Sequence, residues 1–233
     1  MSDWKTAYRS FYYDGAPPSE DPVLVGGKVA LLVIDVQNTY LARPDPAGLK
    51  GLELARYQAW TPFHTRMQSL LIPTIARLLG RFRAGGHEVL FARIACRTQN
   101  GRDRSLSQKK PGWNNLLLPW NEPASQIVAA IAPKEEEIVF TKTTDSALTG
   151  TSLRLTLHNL GITCVVCCGI FTDQCVSSTV RSLADESFDV IVVEDACAAA
   201  TDDLHRRELE IINMIYCSVM SAEDLLGYLP MVS

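Results

Sequence analysis

Residues 29–35, which read VALLVID, decide the fold of this 233-residue chain. Six apolar residues in a row, bounded by Gly26-Gly27 and a polar tail, predict a short strand buried on both faces. Similar apolar runs recur at residues 88–92, 138–142, 162–168, 190–193 and 216–220, with helical patterns between them. Because strands that alternate with helices form parallel sheets covered on both faces, we predict an α/β fold. It is a three-layer α-β-α arrangement with a central, mostly parallel six-stranded sheet.

The helical pattern is clearest between residues 62 and 84. The apolar residues that recur there at the spacing of one helix face are Ile75, Leu78, Leu79 and Phe82. Pro73 predicts a kink in that helix or its true start, and Gly85-Gly86 predicts its end. A further short helix is predicted over residues 124–131, and Thr149 or Thr151 is predicted to cap the helix before the fourth strand.

The composition is that of a folded globular protein, with 47% hydrophobic and 21% charged residues. Residues 1–27 are polar and aromatic and rich in Pro, so we expect an N-terminal arm there. Residues 28–233 contain no linker, low-complexity tract or internal repeat and are predicted to form one domain.

The charge and the apolar runs exclude several function classes. A net charge of −4 provides no basic balance for phosphates, which argues against a nucleic-acid partner. The longest apolar runs are far shorter than the ~18 residues of a membrane span, and the first residues show no apolar signal-peptide centre. We therefore expect a cytoplasmic protein that binds neither nucleic acid nor membrane.

The seven cysteines do not predict a disulfide framework, because their number is odd and several lie inside apolar runs. Cys164 and Cys167 have the spacing of a redox or metal-binding pair. They lie within a predicted strand without a second pair, however, so buried thiols are the favoured interpretation.

Three reactive side chains are predicted at one edge of the sheet. Asp35 follows the first strand, Lys142 ends the third, and Cys175 lies just past the fourth, in the first turn of a helix. Taken singly, they are better explained as a strand-end cap, a solvated lysine and a buried thiol. Together they predict a nucleophilic site, because a helix N-terminus and a nearby ammonium both lower the pKa of a thiol. Asp35 would then move protons, and free N–H groups at the helix start would stabilise an oxyanion.

The segments around these residues resemble the isochorismatase-like cysteine hydrolase superfamily. That superfamily includes nicotinamidases, N-carbamoylsarcosine amidases, ureidoacrylate and biuret amidohydrolases, and isochorismatases. The similar segments are residues 29–38 (VALLVIDVQN), 140–147 (FTKTTDSA), 169–176 (GIFTDQCV) and 193–198 (VEDACA). The resemblance extends over residues 28–225, so residues 28–233 are expected to form an isochorismatase-like hydrolase domain.

The resemblance implies a catalytic triad of Asp35, Lys142 and Cys175, with the backbone N–H groups of Phe171 and Cys175 as the oxyanion hole. It also implies a cis peptide bond between Ile170 and Phe171. The expected activity is hydrolysis of an amide, ureide or carbamoyl C–N bond of a small molecule through a Cys acyl-enzyme, without a cofactor. Relatives of this kind are dimers or tetramers, so a homodimer or homotetramer is expected.

The substrate pocket is less defined by the sequence. Gln37, Tyr40, Ile170, Phe171 and Trp113 are the candidate substrate-binding residues. For Tyr40 and Phe171, packing in the core is an equally good explanation. The basic loop at residues 95–120 is predicted to hold a carboxylate or to be a solvated surface loop, and the second alternative is favoured.

No metal is expected. The nicotinamidase branch of the superfamily binds a metal through an Asp-x-His pair, and this sequence contains no such pair.

The sequence leaves three other functions to consider. Isochorismate or another vinyl ether remains open as a substrate, because the scaffold is shared; retention of Cys175 favours a C–N bond. A non-catalytic binding or scaffold protein would not need Asp35, Lys142 and Cys175 together. A flavodoxin-like or dinucleotide-binding module would need a Gly-rich turn after the first strand, and residues 35–38 read DVQN instead.

Overall fold

A parallel sheet forms the centre of the computed structural model, which describes residues 3–111 and 115–230. Its strands lie in the order β3-β2-β1-β4-β5-β6, and every neighbouring pair is parallel. The strands are β1 (Val29–Ile34), β2 (Glu88–Ile94), β3 (Ile138–Lys142), β4 (Cys164–Ile170), β5 (Asp189–Ala198) and β6 (Ser218–Met220). The predicted α/β fold with a six-stranded sheet is confirmed, and the sheet is parallel throughout.

Strand β1 occupies the middle of the sheet, between β2 and β4. All of its residues are buried, which explains why its sequence is continuously apolar and does not alternate. In the register of the sheet, Ile34 lies opposite Ala92 of β2 and Gly169 of β4. The chain order reverses between β1 and β4, and ligands of open α/β sheets bind beyond the carboxyl ends of the strands at such a point.

Seven α-helices pack around the sheet within the described residues. They are α1 (Gly51–Ala59), α2 (Thr61–Arg66), α3 (Ile72–Ala84), α4 (Leu153–Asn159), α5 (Ser177–Asp185), α6 (Asp202–Ile212) and α7 (Ala222–Tyr228). Two further segments, Met67–Leu71 and Thr172–Val176, are π-helical and run directly into α3 and α5.

Pro73 lies in the first turn of α3, which begins at Ile72, as one of the two predicted alternatives has it. Helical structure runs from Thr61 to Ala84, and the π-helical turn Met67–Leu71 lies immediately before the proline-bearing start of α3. A proline lacks the N–H of a helical hydrogen bond, and its ring collides with the carbonyl four residues earlier. The π-helical turn before Pro73 has hydrogen bonds of wider spacing than an α-helix, and it accommodates the missing N–H and the displaced carbonyl.

The single helix predicted over residues 124–131 is wrong. The structure has two 3₁₀ turns there, Pro123–Ser125 and Ala129–Ile131, with extended backbone between them. The extended part pairs with the segment after β1, where Asn38 N donates to Gln126 O (2.9 Å) and Val128 N donates to Val36 O (3.1 Å). These backbone hydrogen bonds take the place of a helix.

The N-terminal arm folds back onto the C-terminal part of its own chain. Trp4 packs edge-to-face on Tyr228, with 6.1 Å between the ring centroids. Asn213 Nδ2 donates to the carbonyl oxygens of Ala7 and Tyr8. The tip of the arm is exposed at Phe11.

Within residues 3–111 and 115–230, no helix combines the length and the apolar character that a transmembrane span requires.

Candidate active site

Asp35, Lys142 and Cys175 meet in one buried cluster. The Lys142 Nζ lies 2.7 Å from Asp35 Oδ2 and 3.3 Å from Cys175 Sγ. It also donates to the carbonyl oxygen of Thr144 at 3.1 Å, while its contact with Asp35 is an ion pair. The ammonium thus lies between a carboxylate and a thiol that come from different strands.

The position of Asp35 depends on a close approach of β4 to the end of β1. Asp35 has a φ of 56°, and its N–H donates to Ala92 O of β2 at 2.9 Å. Gly169 faces it from β4 with a φ of 120°, and a Cβ there would lie 2.0 Å from the Ile34 carbonyl oxygen. Only glycine is accommodated at this position, which explains the glycine at the start of the nucleophile segment.

Cys175 lies in the π-helical segment Thr172–Val176, between β4 and α5. The Thr179 hydroxyl donates to Cys175 O (2.7 Å) and accepts from Ala147 N (3.0 Å). The Ser146 hydroxyl donates to Ser182 Oγ at 2.9 Å. The Ser-Ala pair after Lys142 therefore joins the lysine segment to the helix of the nucleophile.

The electrostatics of Cys175 differ from the prediction. Burial raises the pKa of its thiol well above the usual range, and the negative charge of Asp35 raises it further against the pull of Lys142. The predicted lowering of this pKa is therefore wrong, because burial at 6% exposure and the charge of Asp35 outweigh the effect of Lys142.

The pKa of each of the other two groups is also raised. Burial raises the pKa of Asp35, although Lys142 opposes it. Burial acts to lower the pKa of Lys142, but the negative charge of Asp35 and the contacts with Asp35 and Cys175 outweigh burial, and the pKa is raised. At neutral pH the site therefore holds an ammonium and a protonated thiol beside a carboxyl group that accepts protons readily.

A cleft of about 910 Å³ opens beside these three residues. Its apolar part is an aromatic cluster in which Phe171 contacts Tyr40 (5.4 Å between centroids), Phe63 (5.2 Å) and Trp60 (6.2 Å). Polar side chains of Asp145, Asp173, Gln174, Asn115, Arg56 and His64 also line the cleft. Asp35, Lys142 and Cys175 themselves are buried and do not line the cleft, but the lining residue Asp145 lies 3.9 Å from the Cys175 sulfur.

The predicted pocket residues have different positions. Tyr40 and Phe171 line the cleft as expected. Gln37 does not, because it is fully buried and its amide is used by the backbone: Nε2 donates to Ile94 O and Ser125 O, and Oε1 accepts from Ile94 N. Ile170 is likewise fully buried at the end of β4 and is not a lining residue. Trp113 lies outside the described residues.

Phe171 is also one of the two residues expected to donate to an oxyanion. The peptide bond between Ile170 and Phe171 is cis. Within residues 3–111 and 115–230 the Phe171 N–H donates to no other group, so it remains available to a ligand.

The basic loop at residues 95–120 is built around internal contacts. Asp103 accepts from the backbone N–H groups of Arg97 and Thr98, and Arg104 Nη1 donates to Gln108 O and Leu116 O. The cleft-lining residues of this loop are Asn115 and Leu116, and none of its described basic residues takes part. Arg104 therefore stabilises the conformation of the loop.

Several residues that line the cleft were not predicted from the sequence. Asp145 and Asp173 lie inside the segments that resemble the superfamily, but their spacing predicts no contact with a ligand. Arg56 lies on α1, a helix without a buried residue and hence without an apolar stripe that periodicity detects.

The described histidines and acidic residues do not assemble a metal site. In the part of the chain that the structure describes, no three His, Cys, Asp or Glu side chains come close enough together to hold an ion. His64 lines the cleft by itself, and His205 contacts Arg66 and Thr172. A metal-free site stays a prediction.

Comparisons with known proteins agree with this geometry. Ureidoacrylate amidohydrolase RutB of Methylobacterium radiotolerans is 29% identical over 220 residues, which cover 84% of this chain and 79% of that protein. Maleamate amidohydrolase of Pseudomonas putida is 27% identical over 204 residues, which cover 88% of each.

A solved structure of N-carbamoylsarcosine amidase from Thermoplasma acidophilum shares the fold. Its TM-score is 0.64 at 23% identity, over 84% of this chain and 97% of that chain. The family model for the isochorismatase domain matches residues 29–224 and thus includes Asp35, Lys142 and Cys175. The resemblance seen in the sequence is confirmed, and the chain belongs to the isochorismatase family of hydrolases.

Proposed function

We propose that the protein is a cofactor-free thiol hydrolase that cleaves a C–N bond of a small amide, ureide or carbamoyl compound. The observation that carries this proposal is the position of the Lys142 ammonium, 2.7 Å from Asp35 and 3.3 Å from the Cys175 sulfur, beside an open cleft. A carboxyl group, a cation and a thiol in contact supply a base, a charge stabiliser and a nucleophile.

The raised pKa of Cys175 determines the order of the proton transfers. Asp35 takes the thiol proton as Sγ attacks the carbonyl carbon, and the N–H groups of Phe171 and Cys175 stabilise the resulting oxyanion. Asp35 then returns this proton to the leaving nitrogen as the C–N bond breaks, which leaves a thioester on Cys175. Lys142 balances the negative charge of Asp35 whenever Asp35 does not hold the proton.

Hydrolysis of the thioester reverses these roles. Asp35 removes a proton from water, the hydroxide attacks the thioester carbon, and the C–S bond breaks. The sulfur recovers the proton from Asp35, and the acid product leaves. Every step uses groups that the described residues supply.

A C–N substrate is favoured over a vinyl ether because the thiol is present and in contact with the lysine. A vinyl-ether cleavage that uses Asp35 as an acid has no role for Cys175. Two relatives are named as amidohydrolases, at 29% and 27% identity, and these names support the same choice.

The test is a substrate panel of amides, ureides, carbamoyl compounds and isochorismate, with release of ammonia or of the ether product as the readout. Cys175→Ala is compared with Cys164→Ala, which removes a buried thiol at the opposite end of β4. We expect C–N cleavage that is lost in Cys175→Ala and retained in Cys164→Ala. Ether cleavage that persists in Cys175→Ala would overturn the proposal.

A further inference from the structure

Asp145 is a carboxylate in the cleft that the proposed reaction does not use. Its Oδ1 lies 3.9 Å from the Cys175 sulfur, which donates toward it. It is also a lining residue of the cleft. Any group that approaches the sulfur therefore approaches Asp145 as well.

The negative charge of Asp145 has no ion-pair partner among the described residues. Within the described ranges, Asp145 takes part in no ion pair, and its hydrogen bond is the one from Cys175. Lys142, the nearest cation in the chain sequence, is directed at Asp35, the sulfur and Thr144 O instead. The carboxylate is thus free to accept from a bound molecule.

A second carboxylate lines the cleft. Asp173, two residues before the nucleophile, lines it too, and its Oδ1 is buried without a hydrogen-bond partner among the described residues. Arg56, on α1, is the permanently charged cation among the lining residues that the structure describes. The described lining therefore carries two carboxylates and one guanidinium.

We propose that Asp145 is a specificity-determining residue that selects substrates carrying an N–H donor or a cationic nitrogen beside the scissile carbonyl, and rejects those carrying a carboxylate there. This inference rests on the proposed function. The carbonyl carbon must come within bonding distance of Sγ, so its nearest substituents fall within a few Å of Asp145. At such distances in a partly enclosed cleft, opposite and like charges change affinity by roughly tenfold or more.

Three primary amides of nearly equal length test the selection. They are 3-aminopropanamide, butanamide and succinamate, which end in an ammonium, a methyl group and a carboxylate. We expect kcat/KM of the wild type to be highest for the ammonium compound and lowest for succinamate. In Asp145→Asn the ratio between these two should fall about tenfold or more.

The control is Asp185→Asn, which removes one negative charge from an exposed position at the far end of α5. We expect it to leave the ratio unchanged. A wild type that prefers succinamate would overturn the proposal. An equal change in kcat/KM for all three amides in Asp145→Asn would also overturn it, because Asp145 would then act on the thiol and not on the substrate.

Binding measurements distinguish a failure of this proposal from a failure of the proposed function. Calorimetry with Cys175→Ser and Cys175→Ser/Asp145→Asn measures the affinity for the three amides without turnover. If none of the amides is hydrolysed, the expected loss of ammonium preference in the double variant still supports the role of Asp145. Equal affinities of the two variants for all three compounds would contradict it.

Discussion

The Thr172 hydroxyl and the His205 Nδ1 lie 2.8 Å apart, and this hydrogen bond joins α6 to the first residue of the turn that carries Cys175. The tautomer of the ring follows from its other nitrogen. Arg66 Nη2 lies 3.0 Å from His205 Nε2, and a guanidinium only donates. The Nδ1 therefore bears the proton and donates to the Thr172 oxygen.

His205 is consequently expected to act as a positioning residue for the nucleophile. Replacing it by Ala removes the bond to Thr172 and loosens the π-helical turn, and small displacements of a nucleophile reduce turnover strongly. We expect kcat of His205→Ala to fall roughly 10- to 100-fold with little change in KM. Thr172→Val removes the same bond from the other side. The double variant should therefore be no worse than the poorer single variant, whereas additive losses would show independent roles.

The stability of the protein in acid should depend on the same histidine. Burial and then the charge of Arg66 lower the pKa of His205 to about 3. Between that value and the ordinary value of about 6.5 the unfolded chain binds a proton that the folded chain does not. The stabilisation is therefore complete above pH 6.5 and is lost as the pH falls toward 3.

The measurement is urea unfolding of the wild type and His205→Gln at several pH values. As the pH falls through this window, the free energy of unfolding of the wild type should decrease by about 1.4 kcal/mol per pH unit more than that of the variant. Subtracting the free energy of unfolding of the variant from that of the wild type removes the contribution of the other titrating groups. Parallel curves for the two proteins would show that His205 titrates normally.

The strands and the meeting of the three reactive residues could be predicted because both depend on local sequence. β1 and β4 are buried on both faces and so have continuous apolar runs. Parallel strands bring their carboxyl ends to one edge, which places Asp35 near the residues that follow β4. These relations follow from chain direction alone.

The predictions that failed concern properties that depend on contacts from many parts of the chain. The pKa of Cys175 follows from its total burial set against one lysine, and a helix terminus in the sequence reveals only part of that balance. Residues 126–128 are extended because they pair with the chain after β1, a partner about 90 residues away. Gln37 was assigned to the pocket from its motif, whereas its three hydrogen bonds tie it to Ile94 and Ser125.

The charge of Asp35 should make Cys175 a slower nucleophile at rest and a competent one in the reaction. Because Asp35 raises the pKa of the thiol, Asp35→Asn should lower it and leave Lys142 to stabilise the thiolate. We expect iodoacetamide to label Cys175 of Asp35→Asn about tenfold or more faster at pH 8 than in the wild type. Turnover should nevertheless be lost, since no group remains to move the proton.

Mass spectrometry of the labelled peptide distinguishes Cys175 from the six other cysteines, all of which are buried. Cys96 provides an internal reference, because it lies on a different segment and should be labelled equally in both proteins. Labelling of Cys175 that is unchanged or slower in Asp35→Asn would mean that burial alone sets its reactivity.

Gly169 should be the glycine that tolerates substitution least. In Gly169→Ala the new Cβ would lie 2.0 Å from the Ile34 carbonyl oxygen, on a backbone with a φ of 120°. Because β1 and β4 would have to separate at the active site, we expect a loss of about 4 kcal/mol or more, or no folded protein. Gly80→Ala is the matched control: it lies exposed within α3, and a Cβ there meets no atom within 4 Å. That change should raise the free energy of unfolding by about 0.5–1 kcal/mol, since alanine favours a helix interior. Urea unfolding of both variants measures the difference, and a Gly169→Ala protein within about 1 kcal/mol of the wild type would show that the strands are not in close contact there.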